Sequence, residues 1–194
     1  MTDIKNVLLV GVGGQGTILV SKIMTSGLVE TGYDVKMSEV HGMAQRGGSV
    51  STQVRFGRKV YSPIIGKGQA DILISFETME ALRWMEYLRP RGKAVVNDYQ
   101  IPSAPILAGK SDYPGGVMEI IKSKVQTSIV KASKIAEQLG NLRAMNVVIL
   151  GAIVKVMELT DIDWETAIRT NVKPNTVNIN IEAFKAGMNA VVSY

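Results

Sequence analysis

Long apolar runs alternate with amphipathic stretches along most of this chain, and the two kinds of segment differ in period. NVLLVGVGG at residues 6–14 and ADILISF at residues 70–76 are continuous apolar runs, which is the pattern of strands buried in a parallel sheet. TILVSKIMTSGLVETGY at residues 17–33 and TMEALRWMEYL at residues 78–88 instead place their apolar residues near helical spacing. YDVKMSEV, KAVVND and SIVKA add three more strands. This alternation predicts an α/β protein built on a largely parallel sheet.

From Gly47 onwards the period of the pattern changes to two. One face of this segment then carries the residues Val50, Thr52, Val54 and Phe56. FGRKVY has the composition of a turn, and KVYSPII at residues 59–65 predicts a strand that returns beside the first. We therefore expect an antiparallel β-hairpin inserted into the parallel sheet.

The C-terminal part of the chain predicts helices, in NVVILGAIVKVMEL, DWETAIRTNV and NINIEAFKAGMNAV. Asp161 and Asp163 both suit the cap of the helix that begins at Trp164. Prolines and glycines at residues 101–116 predict a long ordered connection before these helices. The predicted fold is a three-layer α/β/α arrangement. It has a mostly parallel, Rossmann-like sheet, the inserted hairpin and a helical C-terminal part, and residues 1–194 form a single domain.

The composition restricts the chemistry that the chain can perform alone. It holds 22 basic and 17 acidic residues, a net charge of +5, without the basic clusters interleaved with aromatic residues that bind nucleic acid. It has no cysteine, which excludes disulfides, a thiolate nucleophile and cysteine-ligated iron–sulfur clusters, and one histidine, which excludes a multi-histidine metal site. No signal peptide and no membrane span is expected, so the predicted location is the cytoplasm.

A glycine-rich turn follows the first predicted strand and precedes the first predicted helix. It has the pattern G-x-G-x-x-G, formed by Gly11, Gly13, Gly14, Gln15 and Gly16 with Val12. Glycines allow the backbone to approach a phosphate closely, and the N–H groups at a helix start point toward it. Glu39 follows where a ribose-binding acid of an NAD site would lie, but no second crossover helix follows it. Phosphate binding, NAD binding and a tight turn without a ligand remain alternatives, and the Gln15 side chain is expected to project over the phosphate site.

The segment after the second strand, EVHGMAQRGGSV, does not fit a dinucleotide-binding domain. It combines a titratable His41 and a fixed cation, Arg46, with several hydrogen-bonding groups and glycines: Gln45, Gly47, Gly48 and Ser49. Because this loop and the glycine turn follow parallel strands, we expect both at the carboxyl edge of the sheet, where open α/β sheets bind ligands. A structural role for His41, and an interface role for Arg46, remain open.

The pairing of GVGGQG with SEVHGMAQRGGSVSTQVRFG resembles the gamma-type subunit or domain of the 2-oxoacid:ferredoxin oxidoreductases. ADILISFE, GKAVVND and LGNLRAMNVVILGA resemble later blocks of the same family, so the resemblance covers most of the chain. Within the family, the size of the chain and ILAGKSDYP resemble most the subunits that serve aryl 2-oxoacids such as indolepyruvate.

The resemblance implies a chain that acts only as part of an enzyme and is inactive alone. The complex would oxidatively decarboxylate a 2-oxoacid with coenzyme A as co-substrate, giving an acyl-CoA, carbon dioxide and reduced ferredoxin. A large alpha subunit would carry thiamine diphosphate and the 4Fe–4S clusters, and this chain would bind no cofactor alone and no metal. The cofactor-binding residues would be Gly11, Gly13, Gly14, Gln15, Gly16, Gln45, Gly47, Gly48 and Ser49. His41 and Arg46 would face the active site of the partner.

Three other functions remain open at this point. The chain could be a gamma subunit for another 2-oxoacid, such as pyruvate, 2-oxoisovalerate or 2-oxoglutarate. It could be an independent NAD-dependent oxidoreductase, with His41 as its only histidine. It could also be a scaffold whose glycine loops serve only packing against a large subunit.

Overall fold

The computed structural model describes residues 4–41 and 47–193. Its strands are β1 (Lys5–Val12), β2 (Asp34–His41), β3 (Ser49–Gly57), β4 (Ala70–Ser75), β5 (Leu88–Asn97), β6 (Gln126–Val130) and β7 (Val192–Ser193). Its α-helices are α1 (Thr17–Glu30), α2 (Thr78–Trp84), α3 (Ala104–Leu107), α4 (Val117–Lys124), α5 (Ala132–Gln138), α6 (Met145–Val156), α7 (Trp164–Asn171) and α8 (Val177–Asn189). Short 3-10 turns occupy Met85–Tyr87, Leu142–Ala144 and Pro174–Thr176.

The strands form one sheet of seven strands in the order β2-β3-β1-β4-β5-β6-β7. Strands β1, β4, β5 and β6 are parallel neighbours, and β7 runs antiparallel to β6. Strand β3 lies antiparallel between β1 and β2, so that Thr52 faces Leu9 on one side and Glu39 on the other. The predicted α/β class, with antiparallel strands inserted into a mostly parallel sheet, is therefore confirmed.

The predicted returning strand at residues 59–65 is wrong, because β3 already has a partner along each edge. The antiparallel partner of β3 within the insertion is β2, which precedes it in the chain. Residues 59–65 instead lie against the side chains of β3. The Arg55 guanidinium donates to the Ser62 carbonyl at 2.9 Å, and the Ile65 N–H donates to Gln53 Oε1 at 2.5 Å.

Two hydrophobic layers enclose the sheet, as the three-layer prediction requires. One face packs against α1, α5, α6, α7 and α8, and the other against α2 and α4. The helices α6 and α8 lie in backbone contact through two glycines. A Cβ placed on Gly151 would lie 2.1 Å from the Phe184 carbonyl oxygen, and one on Gly187 would lie 2.0 Å from the Val148 carbonyl oxygen. This contact fixes the helical C-terminal part against the sheet.

The predicted cap of α7 is present at Asp163, whose Oδ1 accepts the Thr166 N–H at 3.1 Å. That hydrogen bond lowers the pKa of the Asp163 carboxyl below its ordinary value. The connection at residues 101–116 contains the short helix α3, which the sequence pattern did not predict. Within the two described ranges, the helices are all too short or too polar to cross a bilayer.

Candidate functional site

The glycine turn after β1 and the loop before β3 are joined through their backbones. The Gly13 N–H donates to the Gly48 carbonyl at 2.8 Å, and the Gly47 N–H donates to the Gly13 carbonyl at 3.3 Å. The two loops therefore meet at the edge of the sheet where β1 and β2 end, as the sequence analysis predicted. Gly47 has a φ of 77°, a left-handed conformation that favours glycine.

The turn is built so that α1 begins without a side-chain cap. Gly14 and Gly16 have φ angles of 103° and 82°, and Gly16 is the N-cap residue directly before α1. The first N–H groups of a helix have no intrahelical acceptor, and the dipole of the helix makes that end positive. The start of α1 is therefore suited to an anionic group, and within its first turn it carries no acidic side chain.

The Gln15 side chain lies beneath the turn and not over it, which corrects the expected orientation. Its Oε1 accepts the Val12 N–H at 2.8 Å, and its Nε2 donates to the Phe76 carbonyl at 2.9 Å. Gln15 is buried, and its amide occupies the space beside Gly11, where a Cβ would lie 2.8 Å from Oε1. Gln15 and Gly11 thus shape the turn from below by tying β1 to the end of β4.

A pocket of about 410 Å³ opens above the turn. The residues that line it come from the turn, the start of α1, the end of β2 and the start of β3: Gly13, Gly14, Gly16, Thr17, Ile18, His41, Val50 and Thr52. His41 is the titratable side chain among them, and Thr17 and Thr52 supply hydroxyl groups. This lining combines backbone donors with apolar walls, as small-ligand sites do.

Ser49, one of the predicted cofactor-binding residues, is not among the residues that line this pocket. Successive residues of a strand face opposite sides of a sheet, so Val50 lines the pocket while Ser49 points to the other face. There its hydroxyl donates to the Glu80 carboxylate, which also accepts the Trp84 indole N–H at 3.2 Å and the Arg83 Nε–H at 3.1 Å. Glu80 therefore fixes the start of β3 to α2. Gln45 and Arg46 lie outside the described residues.

A second polar group lies near this edge of the sheet, at the start of α2. The Glu77 side chain caps α2 by accepting the Glu80 N–H at 2.9 Å. Its Oε1 also accepts the Tyr113 hydroxyl at 2.6 Å and the Ile101 N–H at 3.2 Å. Burial, together with the hydrogen bond to Glu77, raises the pKa of the Tyr113 hydroxyl above its ordinary value. Glu77 therefore holds the connection after β5 in place, and with these partners it has a structural role.

An NAD site of the usual kind does not fit this arrangement. Strand β3 separates β2 from β1, so Glu39 lies two strands, about 10 Å, from the strand that carries the turn. Its carboxylate lies 3.5 Å from the Ser21 hydroxyl on α1. Glu39 is also absent from the residues that line the pocket at the glycine turn.

Several residues at the site gave no signal in the sequence. Asn146, at the start of α6, packs against the turn, and a Cβ on Gly16 would lie 2.3 Å from its Nδ2. Thr17, Ile18, Val50 and Thr52 line the pocket only because of the strand order and the backbone joint. The alternation of β3 did predict that Val50 and Thr52 share a face.

Gln15 makes both of its amide hydrogen bonds in the interior, which gives a specific prediction for Gln15→Glu. The change removes the Nε2–H donor and places a carboxylate against the Phe76 carbonyl. We expect the free energy of unfolding at pH 8 to fall by about 2 kcal/mol. Burial favours the neutral acid, so the loss should shrink as the pH falls toward 5. Denaturant titrations of the variant and the wild type at both pH values measure this difference, and a loss independent of pH would contradict the buried position.

A mostly parallel α/β sheet with a glycine turn and a free helix start at the carboxyl ends of its strands defines a Rossmann-like domain. The chain belongs to the pyruvate ferredoxin/flavodoxin oxidoreductase family, and the model of that family matches residues 6–190. The indolepyruvate oxidoreductase subunit IorB of Thermococcus kodakarensis is 35% identical over 193 residues, with 95% of each chain covered. The IorB subunit of Archaeoglobus fulgidus is 37% identical, with 97% of this chain and 96% of that chain covered.

Solved structures share the fold. The gamma subunit of a keto/oxoacid ferredoxin oxidoreductase from Geobacter sulfurreducens gives a TM-score of 0.71 at 22% identity, covering 95% of this chain and 96% of that chain. A 2-oxoglutarate:ferredoxin oxidoreductase from Magnetococcus marinus, solved with 2-oxoglutarate, coenzyme A and succinyl-CoA bound, gives a TM-score of 0.71 at 18% identity. It matches 97% of this chain and 31% of its own. The family and the relatives show that the chain is a small subunit of a multi-subunit oxidoreductase.

Proposed function

We propose that this chain is the small subunit of a ferredoxin oxidoreductase that acts on indolepyruvate or a related aryl 2-oxoacid. The complex converts the 2-oxoacid and coenzyme A to an acyl-CoA and carbon dioxide and reduces ferredoxin. The names of the relatives that share more than a third of this sequence support the substrate class. A large partner carries thiamine diphosphate and the iron–sulfur clusters, since this chain has no cysteine to hold a cluster. We place the complex in the cytoplasm.

Within that complex, the pocket above the glycine turn binds the phosphate groups of coenzyme A. The observation that carries this proposal is the backbone joint between Gly13 and the Gly47–Gly48 pair, which closes one side of the pocket. The free N–H groups at the start of α1 then face an anionic ligand, whose charge the helix dipole favours. Among the lining residues, His41 supplies a titratable group toward the partner's active site.

A negative charge introduced at an exposed position of the pocket should weaken ligand binding while the chain still folds. Ile18 lines the pocket at the start of α1 and is 41% exposed, so Ile18→Asp places a carboxylate beside the proposed phosphate site. Val29, near the end of the same helix, is 52% exposed, and Val29→Asp is the matched control. We expect the Kd of the assembled complex for coenzyme A to rise at least about 10-fold in Ile18→Asp only, as like charges near a binding site repel.

Calorimetric titration of each assembled complex with coenzyme A provides the measurement. Unchanged affinity in Ile18→Asp would show that the ligand binds elsewhere and would leave this chain a packing role. Turnover with indolepyruvate, pyruvate, 2-oxoisovalerate and 2-oxoglutarate, with methyl viologen as electron acceptor, tests the substrate class independently. A preference for one of the last three would replace the aryl 2-oxoacid assignment.

A further inference from the structure

A group of positive side chains lies at the amino edge of the sheet, away from the glycine turn. We call this surface the basic edge, and it consists of Lys5, Arg89, Arg91, Lys93 and Lys155. These residues line two adjoining depressions of about 230 and 430 Å³, which share Lys93 and Glu158. The acidic residues that line the depressions are Asp71 and Glu158. Five cations against two carboxylates leave the surface with three positive charges in excess.

Few of these charges are neutralised within the chain. Arg89 pairs with Asp71 at 2.7 Å, and the second oxygen of Asp71 accepts the Asn6 N–H, also at 2.7 Å. Across residues 4–41 and 47–193, the other four cations of the basic edge form no ion pair with a carboxylate. Arg91, Lys93 and Lys155 are exposed, so their charge faces outward.

The backbone is distorted where these cations are displayed. Strand β5 advances five residues, from Leu88 to Lys93, while its partner β4 advances two, from Ala70 to Ile72. The four residues Arg89–Gly92 lie opposite one residue of β4 and form a bulge, and Arg91 has a φ of 65°. In the described part of the chain, the only other non-glycine residue with a positive φ is Glu158, which lines the same depression.

Such left-handed backbone at a non-glycine residue costs about 1–3 kcal/mol and tends to occur where function requires it. Gly92 allows the bulge to close tightly, because a Cβ there would lie 2.9 Å from Leu88 Cδ2 and 3.0 Å from the Arg89 carbonyl oxygen. Both arginines of RPRGK line the same depression as Lys5.

The position of the basic edge leaves it free when the pocket is occupied. Strand β1 begins at Lys5 and ends at Val12, directly before the glycine turn. Eight residues of strand separate the two sites by about 25 Å. A molecule bound at the basic edge therefore does not compete with a ligand at the turn.

We propose that the basic edge is a docking surface for a small acidic electron-carrier protein. The proposal rests on the proposed function, in which the complex delivers its electrons to a ferredoxin. Permanent subunit interfaces are apolar at their centre and depleted in charge, whereas exposed like charges suit weak complexes of redox proteins that form by electrostatic attraction. The composition of the basic edge is that of a weak complex formed by electrostatic attraction.

The test measures direct binding, without turnover, between the assembled complex and a purified ferredoxin of net negative charge. The variant is Arg91→Glu with Lys93→Glu, and within the described ranges neither side chain makes a hydrogen bond or an ion pair. The matched control is Lys22→Glu with Lys134→Glu, two exposed lysines on α1 and α5 with the same change in charge. At low ionic strength, we expect the Kd for ferredoxin to rise at least about 10-fold in the variant and to change little in the control.

Wild-type binding should also weaken with added salt, and the variant should show a smaller dependence on salt. Equal effects in the variant and the control would overturn the proposal, because they would reflect only the net charge. Failure of the variant to assemble with the large subunit would overturn it too, by making this surface a permanent interface. Displacement of ferredoxin by millimolar phosphate beyond the effect of chloride at equal ionic strength would show a small-anion site instead. Oxidation of indolepyruvate with methyl viologen tests the proposed function separately.

Discussion

Replacing Gly151 by alanine should lower the free energy of unfolding by about 3 kcal/mol or more, at the upper end of the cost of overpacking. The added Cβ would lie 2.1 Å from the Phe184 carbonyl oxygen and 2.8 Å from the Met188 nitrogen, both backbone atoms of α8. A flexible side chain can move aside, but here two helices have to separate. Because α6 and α8 cover one face of the sheet, their separation also opens the core around them.

Chemical denaturation of Gly151→Ala and Gly115→Ala measures this effect against a suitable control. Gly115 has no described atom within 4 Å of an added Cβ and has no left-handed backbone, so its replacement should be close to neutral. Gly187→Ala should behave like Gly151→Ala, since its Cβ would meet the Val148 carbonyl oxygen. Stabilities of all three variants within about 1 kcal/mol of the wild type would contradict the close helix contact.

Gly16→Ala should combine a loss of stability with a loss of coenzyme A binding. The residue has a left-handed φ, which costs an alanine about 1–2 kcal/mol. Its Cβ would also lie 2.3 Å from Asn146 Nδ2, which adds about 1–3 kcal/mol of overpacking. Relief of the clash moves the start of α1, so we expect the Kd of the complex for coenzyme A to rise at least about 10-fold, a loss of about 1.4 kcal/mol.

Gly14→Ala is the matched control for the loss of stability expected in Gly16→Ala. Gly14 also has a positive φ, of 103°, but an added Cβ would meet no described atom within 4 Å. The stability lost in Gly14→Ala should therefore reflect the backbone strain alone. Adding Asn146→Ala should restore part of the stability of Gly16→Ala and none of that of Gly14→Ala. Equal stabilities of the two single variants in denaturant would show that Asn146 does not restrict the turn.

The sequence could predict most helices and strands because each has a clear period or a clear cap. Asp163 at the start of α7 and the alternating face of β3 are examples, and both are present in the structure. The meeting of the glycine turn with the Gly47–Gly48 loop was also predictable, since both follow strands that point the same way.

Other features depended on strand order and packing, which local pattern does not encode. The alternation in KVYSPII suits a strand, but no free edge of β3 remained for it. Gln15 is polar, and only the nearby Phe76 carbonyl explains why its amide turns inward. Nothing near Gly151 or Gly187 in the sequence indicates that they touch opposite helices, because 35 residues separate them.

The position of β3 has a consequence for the order in which the chain assembles. When the first 41 residues leave the ribosome, β1 and β2 cannot pair, because the slot between them belongs to a strand not yet made. Until residue 57 has emerged, each of them exposes unpaired backbone amides and carbonyls, and β1 does so along an apolar segment. Such open edges promote aggregation. Nascent fragments that stop before β3 should therefore aggregate more readily than those that include it, in which β3 joins β1 to β2.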